Sequence, residues 1–206
     1  AYNRMTPKLV YAPPGRRVIQ LPAPAMQSCI PRKRVPPATV RDFVGVLHAH
    51  DVRGLVDVRR FPASRRHPHF NREPLTAALS AAGVRYDWLE SLGDRRRSRP
   101  NSPHTAWKVQ GFAAYADYMD TDELQEAAHL LLDWAAERFT TIMCAEARPE
   151  QCHRRLISDW LVVHGVEVVH IMSPTRAVTH NLTELARVEG ERIIYDKGQL
   201  DLPGPS

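Results

Sequence analysis

FTTIMCAEARPEQCHRRLISDWLVVHGVEVVHI, residues 139–171, decides the fold. FTTIMCA (139–145) is a short apolar run of the kind that makes a buried strand, and VEVVHI (166–171) is a second core strand. Between them, Pro149 suits a first helical turn, where its missing N–H costs nothing, so the sequence predicts a helix over 149–164. Strand, helix and strand in this order are how a parallel α/β sheet reads.

The same alternation runs upstream to residue 39, without an internal repeat. Thr39 can cap a helix with Asp42 three residues on, and Val40, Phe43, Val44 and Leu47 then line one face up to about His50. GLVDVRR (54–60) is a short strand whose apolar core is interrupted by Asp57, an acid that is expensive to bury without a partner. A helix opens near Asn71, runs through 76–82 and stops at Gly83, and 84–89 is the next strand. Residues 90–110 form a polar loop too long for a mere connector. A short aromatic-bearing helix (111–119) follows, and then one capped by Thr121 with Leu124, Ala127, Ala128, Leu131, Leu132 and Ala135 as its buried stripe. Residues 184–196 are read as a peripheral helix or strand.

The chain has 206 residues, 43% of them hydrophobic and 25% charged, which is room for one α/β domain with a remainder. Net charge is +5, but residues 1–41 hold eight basic residues and no acid, so the other 165 carry 5 − 8 = −3. Residues 1–38 therefore read as a basic, proline-rich and mostly irregular arm, with a short edge strand at Val18–Leu21. Residues 39–175 form the α/β domain, and 176–206 a C-terminal extension. No apolar run is long enough to span a bilayer, so no membrane is expected. Three cysteines are too few for a disulfide framework, and the N-terminus lacks the order of a secretory signal, so the expected compartment is the reducing cytoplasm.

Chemistry concentrates in MCAEARPEQCHRR (143–155), where a strand end meets a helix start. Ligands of open α/β sheets collect at strand carboxyl ends, and free N–H groups at a helix N-terminus favour an anion or a thiolate. Cys152 and Cys144 are the candidate nucleophiles, Glu146 and His153 candidate acid/base groups, and Arg148, Arg154 and Arg155 candidate anion clamps. In DVRRFPASRRHPHFNR (57–72), a buried Asp57 would hold a guanidinium in place, making Arg59 and Arg60, with Ser64, Arg65, Arg66 and Asn71, an oxyanion receptor. Arg95, Arg96, Arg97 and Arg99 form a further basic run.

Each reading has a plainer competitor. Cys144 suits a core as a small residue, His153 a surface, and both arginine-rich loops solvent. Cys144 and Cys152 could also close a redox-sensitive disulfide, or join His153 in a zinc site of only three soft ligands without a C-x-x-C pair. An enzyme using a cysteine thiolate on an anionic small molecule comes first. The alternative is nucleic-acid binding through residues 1–41 and 95–99, with Trp107 and Phe112 available for stacking, and a metal-binding sensor comes third. No cofactor is expected.

LVDVRRFPASRRHPHFN, LESLGDRRR, FAAYADYM and MCAEARPEQCHRRLISDWLVVHGVEVVHI together resemble the domain of unknown function 488 family of small bacterial and archaeal proteins, over residues 39–171. The resemblance implies a single Rossmann-like domain, mainly parallel sheet with helices on both faces, in which the Asp-Val-Arg and Cys-x-Glu-x-x-Pro-x-x-Cys-His-Arg elements meet at one pocket. It implies no reaction. The family usually opens with a strand like Thr-Ile-Gly-His-Ser just before the first helix, whereas Cys29–Ala38 reads CIPRKRVPPA. The layout is also loosely similar to rhodanese-type sulfurtransferases, but nine residues separate Cys144 from Arg154 where those enzymes close a shorter loop.

Overall fold

The computed structural model describes residues 17–20, 39–146 and 151–196. Among them, a six-stranded sheet has the order β3-β2-β4-β1-β5-β6 and a separate hairpin pairs β7 with β8. The strands are β1 (Arg17–Gln20), β2 (Gly54–Asp57), β3 (Arg85–Trp88), β4 (Thr140–Met143), β5 (Glu167–Ser173), β6 (Arg176–Thr179), β7 (Ala186–Glu189) and β8 (Arg192–Tyr195). β1 to β5 pair in parallel and β6 joins β5 antiparallel. The helices are α1 (Val40–Ala49), α2 (Arg72–Ala81), α3 (Gln110–Met119), α4 (Asp122–Glu137) and α5 (Arg154–Val163).

Local signals explain most of these elements. Thr39 accepts from the Asp42 backbone N–H while Asp42 accepts from the Thr39 backbone N–H, a reciprocal cap that satisfies two otherwise unpaired donors at the helix start. α2 ends before Gly83, whose φ of 72° only glycine adopts without strain. Thr121 caps α4, and Leu124, Ala127, Ala128, Leu131 and Leu132 are its buried residues, with Ala135 partly buried. Six consecutive residues of α3, Ala114–Met119, are buried, so its aromatic side belongs to the core.

Alternation along the strands splits the core in two. Val56, Ile142 and Val168 pack with α3, α4 and α5 on one face, and Leu55, Met143 and Ile171 pack with Phe43, Leu47, Leu75 and Leu79 of α1 and α2 on the other. Connections from β1 and β2 therefore cross one face and those from β3 and β4 the opposite one. β2 and β4 are neighbours, so their carboxyl ends flank a switch point, where α/β sheets open a crevice.

Three expectations need correction. The short strand near Val18 forms at Arg17–Gln20, but it lies inside the sheet, because the β4-α5-β5 crossover skips one strand position that β1 fills. This strand lies before the CIPRKRVPPA segment; Cys29 and the rest of residues 21–38 fall outside the described residues, as does the arm over 1–16. The helix expected from Pro149 starts instead at Arg154, with His153 as its cap, and Arg148, Pro149 and Glu150 lie outside the described residues. Residues 176–196 add β6 and the β7-β8 hairpin, and Ala186, Ile193 and Tyr195 pack into the larger core.

Candidate functional site

Cys144 follows the last residue of β4, and its position in the strand alternation puts it on the α5 face. Cys152 and His153 occupy the turn that enters α5, with the Arg155 N–H bonded to the Cys152 carbonyl and the Leu156 N–H to the His153 carbonyl. The two sulfurs and one His153 ring nitrogen all lie within 4.8 Å of one another. His153 Nδ1 is 3.8 Å from the Cys144 Sγ and 3.7 Å from the Cys152 Sγ. The Arg154 Nε donates to the Cys152 Sγ at 3.2 Å, while its Nη2 donates to the Glu146 carbonyl at 2.5 Å. Cys144, Cys152, His153 and Arg154 are all buried, Cys152 and Arg154 to 1% exposure.

Electrostatics separate the two thiols. Burial pushes Cys152 up, but the hydrogen bond from Cys144, the Arg154 charge and His153 outweigh it and hold this thiol well below the ordinary range. Cys144 moves the opposite way, because it gives its proton toward Cys152 and is itself buried. The surroundings thus favour the ionised form at Cys152 over Cys144. Half-buried Glu146 stands beside them, its carboxyl raised by burial, by the Cys152 charge and by Asp94 from the long loop.

The Asp57 motif is organised separately. Fully buried Asp57 accepts from the Arg59 Nε at 2.8 Å, from the Arg59 backbone N–H at 3.0 Å and from the Tyr86 hydroxyl at 2.7 Å. Arg59 also donates to the Phe70 carbonyl at 2.9 Å, and its own carbonyl accepts from the Trp88 indole. Phe70 and Tyr86 belong with the α1-α2 core, so this pair sits on the opposite face of the sheet from the thiols. The structure brings together Cys144, Glu146, Cys152, His153 and Arg154, and it does not bring Asp57 and Arg59 to them.

The remaining predicted binding residues belong to the loop after β2. Arg60 pairs with Glu90 at 3.2 Å. The Ser64 N–H donates to the Asn71 side chain, and the Ser64 hydroxyl accepts from the His67 N–H, so both side chains shape the loop. Arg65 and Arg66 are exposed. In the second basic run, Arg95 lies over the Phe61 ring, Arg96 covers the Tyr118 ring at 3.6 Å, Arg99 pairs with Asp117, and Arg97 is exposed. Partly buried Trp107 packs at a tilt against Phe112 and Tyr195, with Arg155 over its ring.

One network escaped the sequence reading. Fully buried Asp159 accepts from the His180 Nε2 at 2.8 Å, the Thr183 N–H at 2.9 Å and the Tyr195 hydroxyl at 2.9 Å. With that proton on His180 Nε2, its Nδ1 accepts from the His170 Nε2 at 2.9 Å, leaving the buried His170 Nδ1 as a lone pair without a partner among the described residues. The available signal was Asp159 itself, an acid on the apolar face of a helix beside Trp160. Burial, with His180 and Arg154, lowers His170 to about 4. The unfolded chain then takes up this proton first as pH falls from about 6.5, so resistance to urea decreases between pH 6.5 and 4, and His170→Gln flattens that decrease. An unchanged slope in the variant refutes the assignment.

Among the described residues, no helix is long and apolar enough to cross a membrane. Searches of the curated proteins and of the solved structures return no match. Residues 39–161, which carry both the Asp57 element and the whole thiol cluster, match the family described as Domain of unknown function DUF488, and the chain belongs to that family.

Proposed function

We propose that this protein is a cysteine-dependent enzyme in which the Cys152 thiolate attacks a small electrophilic substrate, anionic or sulfur-bearing, in transferase- or hydrolase-like chemistry. The observation that carries this reading is the Arg154 Nε at 3.2 Å from the Cys152 Sγ, with His153 between the two sulfurs. A guanidinium fixed by two acceptors supports a thiolate continuously and receives negative charge as a leaving group departs. The N-terminal end of α5 adds its positive dipole end at the same place. A single Rossmann-like domain in the cytoplasm, where thiols stay reduced, fits this use of cysteine. The +8 over residues 1–41 supports nucleic-acid binding as the alternative, with partly buried Trp107 and Phe112 packed against each other.

Alkylation with iodoacetamide across pH tests the thiolate. Burial slows the absolute rate, so the informative quantity is the midpoint of the profile. Cys152 is expected to show half-maximal rate at least about one unit below the ordinary thiol value of roughly 8.5. A midpoint at or above 8.5 defeats the proposal.

A further inference from the structure

We infer that Cys152 and Cys144 are the attacking and resolving halves of a dithiol centre that reduces small neutral hydroperoxides. This rests on the thiolate of the reading above and assigns it a neutral electrophile in place of an anionic or sulfur-bearing one. Three observations carry it.

First, the two sulfurs come from the two ends of one short loop, with seven residues between them, and lie within 4.8 Å of each other. Closing a bond across so short a segment requires only local movement of the turn before α5. Second, the surroundings divide the labour. The Arg154 Nε donates to the Cys152 sulfur, while His153 stands almost equally near both sulfurs at 3.7 and 3.8 Å, so the guanidinium marks Cys152 as the sulfur ready to attack and Cys144 as the one that waits for a sulfur electrophile. Third, access selects the oxidant. Cys152 is 1% and Cys144 5% exposed, which excludes protein disulfides and other bulky partners. Half-buried Glu146 interacts with Cys152, and Asp94 stands by Glu146; these acids offset the Arg154 cation as an attraction for an anionic oxidant and leave a neutral one unaffected.

The chemistry balances with the hydroperoxide as oxidant. The Cys152 sulfur attacks the terminal peroxide oxygen, an S–O bond forms and the O–O bond breaks, giving Cys152–S–OH and an alkoxide or hydroxide that takes up a proton. Cys144 then attacks the Cys152 sulfur, an S–S bond forms, the S–O bond breaks, and the departing hydroxide leaves as water with the Cys144 proton. The two thiols lose two electrons, the peroxide gains them, and an external thiol reductant restores the dithiol.

A metal fits the same three ligands less well. The guanidinium on the Cys152 sulfur already compensates its charge, and a dication there would face it at close range. Metal-bound histidines almost always give their second ring nitrogen to an acceptor, and the buried His153 Nε2 has none among the described residues.

The test treats fully reduced protein with one equivalent of hydrogen peroxide at pH 7 and follows it by intact mass and peptide mapping. The expected product is two hydrogens lighter, contains a Cys144–Cys152 linkage, and forms at least about tenfold faster than free cysteine reacts, since an ordinary thiol is only about 3% ionised at that pH. Cys144→Ser is expected to accumulate a sulfenic acid at Cys152 that dimedone traps and the native protein does not. The native mass readout stands even where that variant fails to fold. A linkage through Cys29, over-oxidation without a disulfide, or stoichiometric zinc retained by the purified protein overturns the inference. If the low alkylation midpoint survives any of these results, Cys152 remains a thiolate nucleophile with another substrate, whereas an ordinary midpoint removes both readings.

Discussion

Asp57→Ala lowers the unfolding free energy by about 3–5 kcal/mol, the cost of stranding one member of a buried ion pair. Arg59 loses the Asp57 contacts at 2.8 and 3.0 Å made by its Nε and retains the Phe70 carbonyl at 2.9 Å as the acceptor for Nη2. The Tyr86 hydroxyl loses its acceptor at the same time. Replacing both partners, as Asp57→Leu with Arg59→Met, removes the stranded charge and recovers a large part of the loss, because apolar replacement of a buried pair is often close to neutral. Urea titration of the two proteins reads this directly. The same variant separates a structural role from a catalytic one. Asp57 lies on the α1-α2 face and the thiols on the other, so the Cys152 alkylation midpoint of whatever fraction remains folded stays where it is. A midpoint that moves with Asp57→Ala places the carboxylate in the thiol site and overturns that separation.

Asp57 also shows where sequence and structure agree most closely. An acid among Leu55, Val56 and Val58 required a partner, and Arg59 supplies it. What spacing left open was the face: residues 57 and 144 stand at the ends of adjacent strands, and only the register, with Asp57 opposite Met143, assigns them to opposite sides. Caps and stripes were legible because they are local. Thr39 with Asp42, and the apolar positions of α4, need no knowledge of the rest of the chain. β1 was legible as a strand but not in its place, since its position is set by the gap the later crossover leaves. β6 escaped because Arg176–Thr179 is exposed throughout and has no buried face to impose a period. Asp159, His170 and His180 are isolated in sequence and form a chain only once α5, β5 and the segment after β6 are packed.

The entry to α5 failed for a more informative reason, and it yields the other large effect. Pro149 favours an early start, yet α5 begins at Arg154, whose side chain turns back to the Cys152 sulfur and the Glu146 carbonyl. Arg154→Gln removes the charge and keeps a polar side chain. An opposite charge at this range lowers a thiol by about one to three units, so its loss raises the Cys152 alkylation midpoint by that amount and slows alkylation at pH values below the native midpoint by about tenfold to a thousandfold. Arg154→Lys keeps the charge without the fork that reaches two acceptors, so its midpoint falls between those of the native protein and the glutamine variant. Stability gives an independent readout. A thiol held low in the folded state contributes stability that is complete above the unfolded value of about 8.5 and is lost as pH falls toward the folded value. Between pH 8.5 and 6.5, above the range where His170 contributes, the native protein therefore loses stability and Arg154→Gln loses less. A glutamine variant that folds, keeps the native midpoint and keeps the native slope would show that Arg154 merely ties a loop, and Cys152 would lose the group that makes it a thiolate.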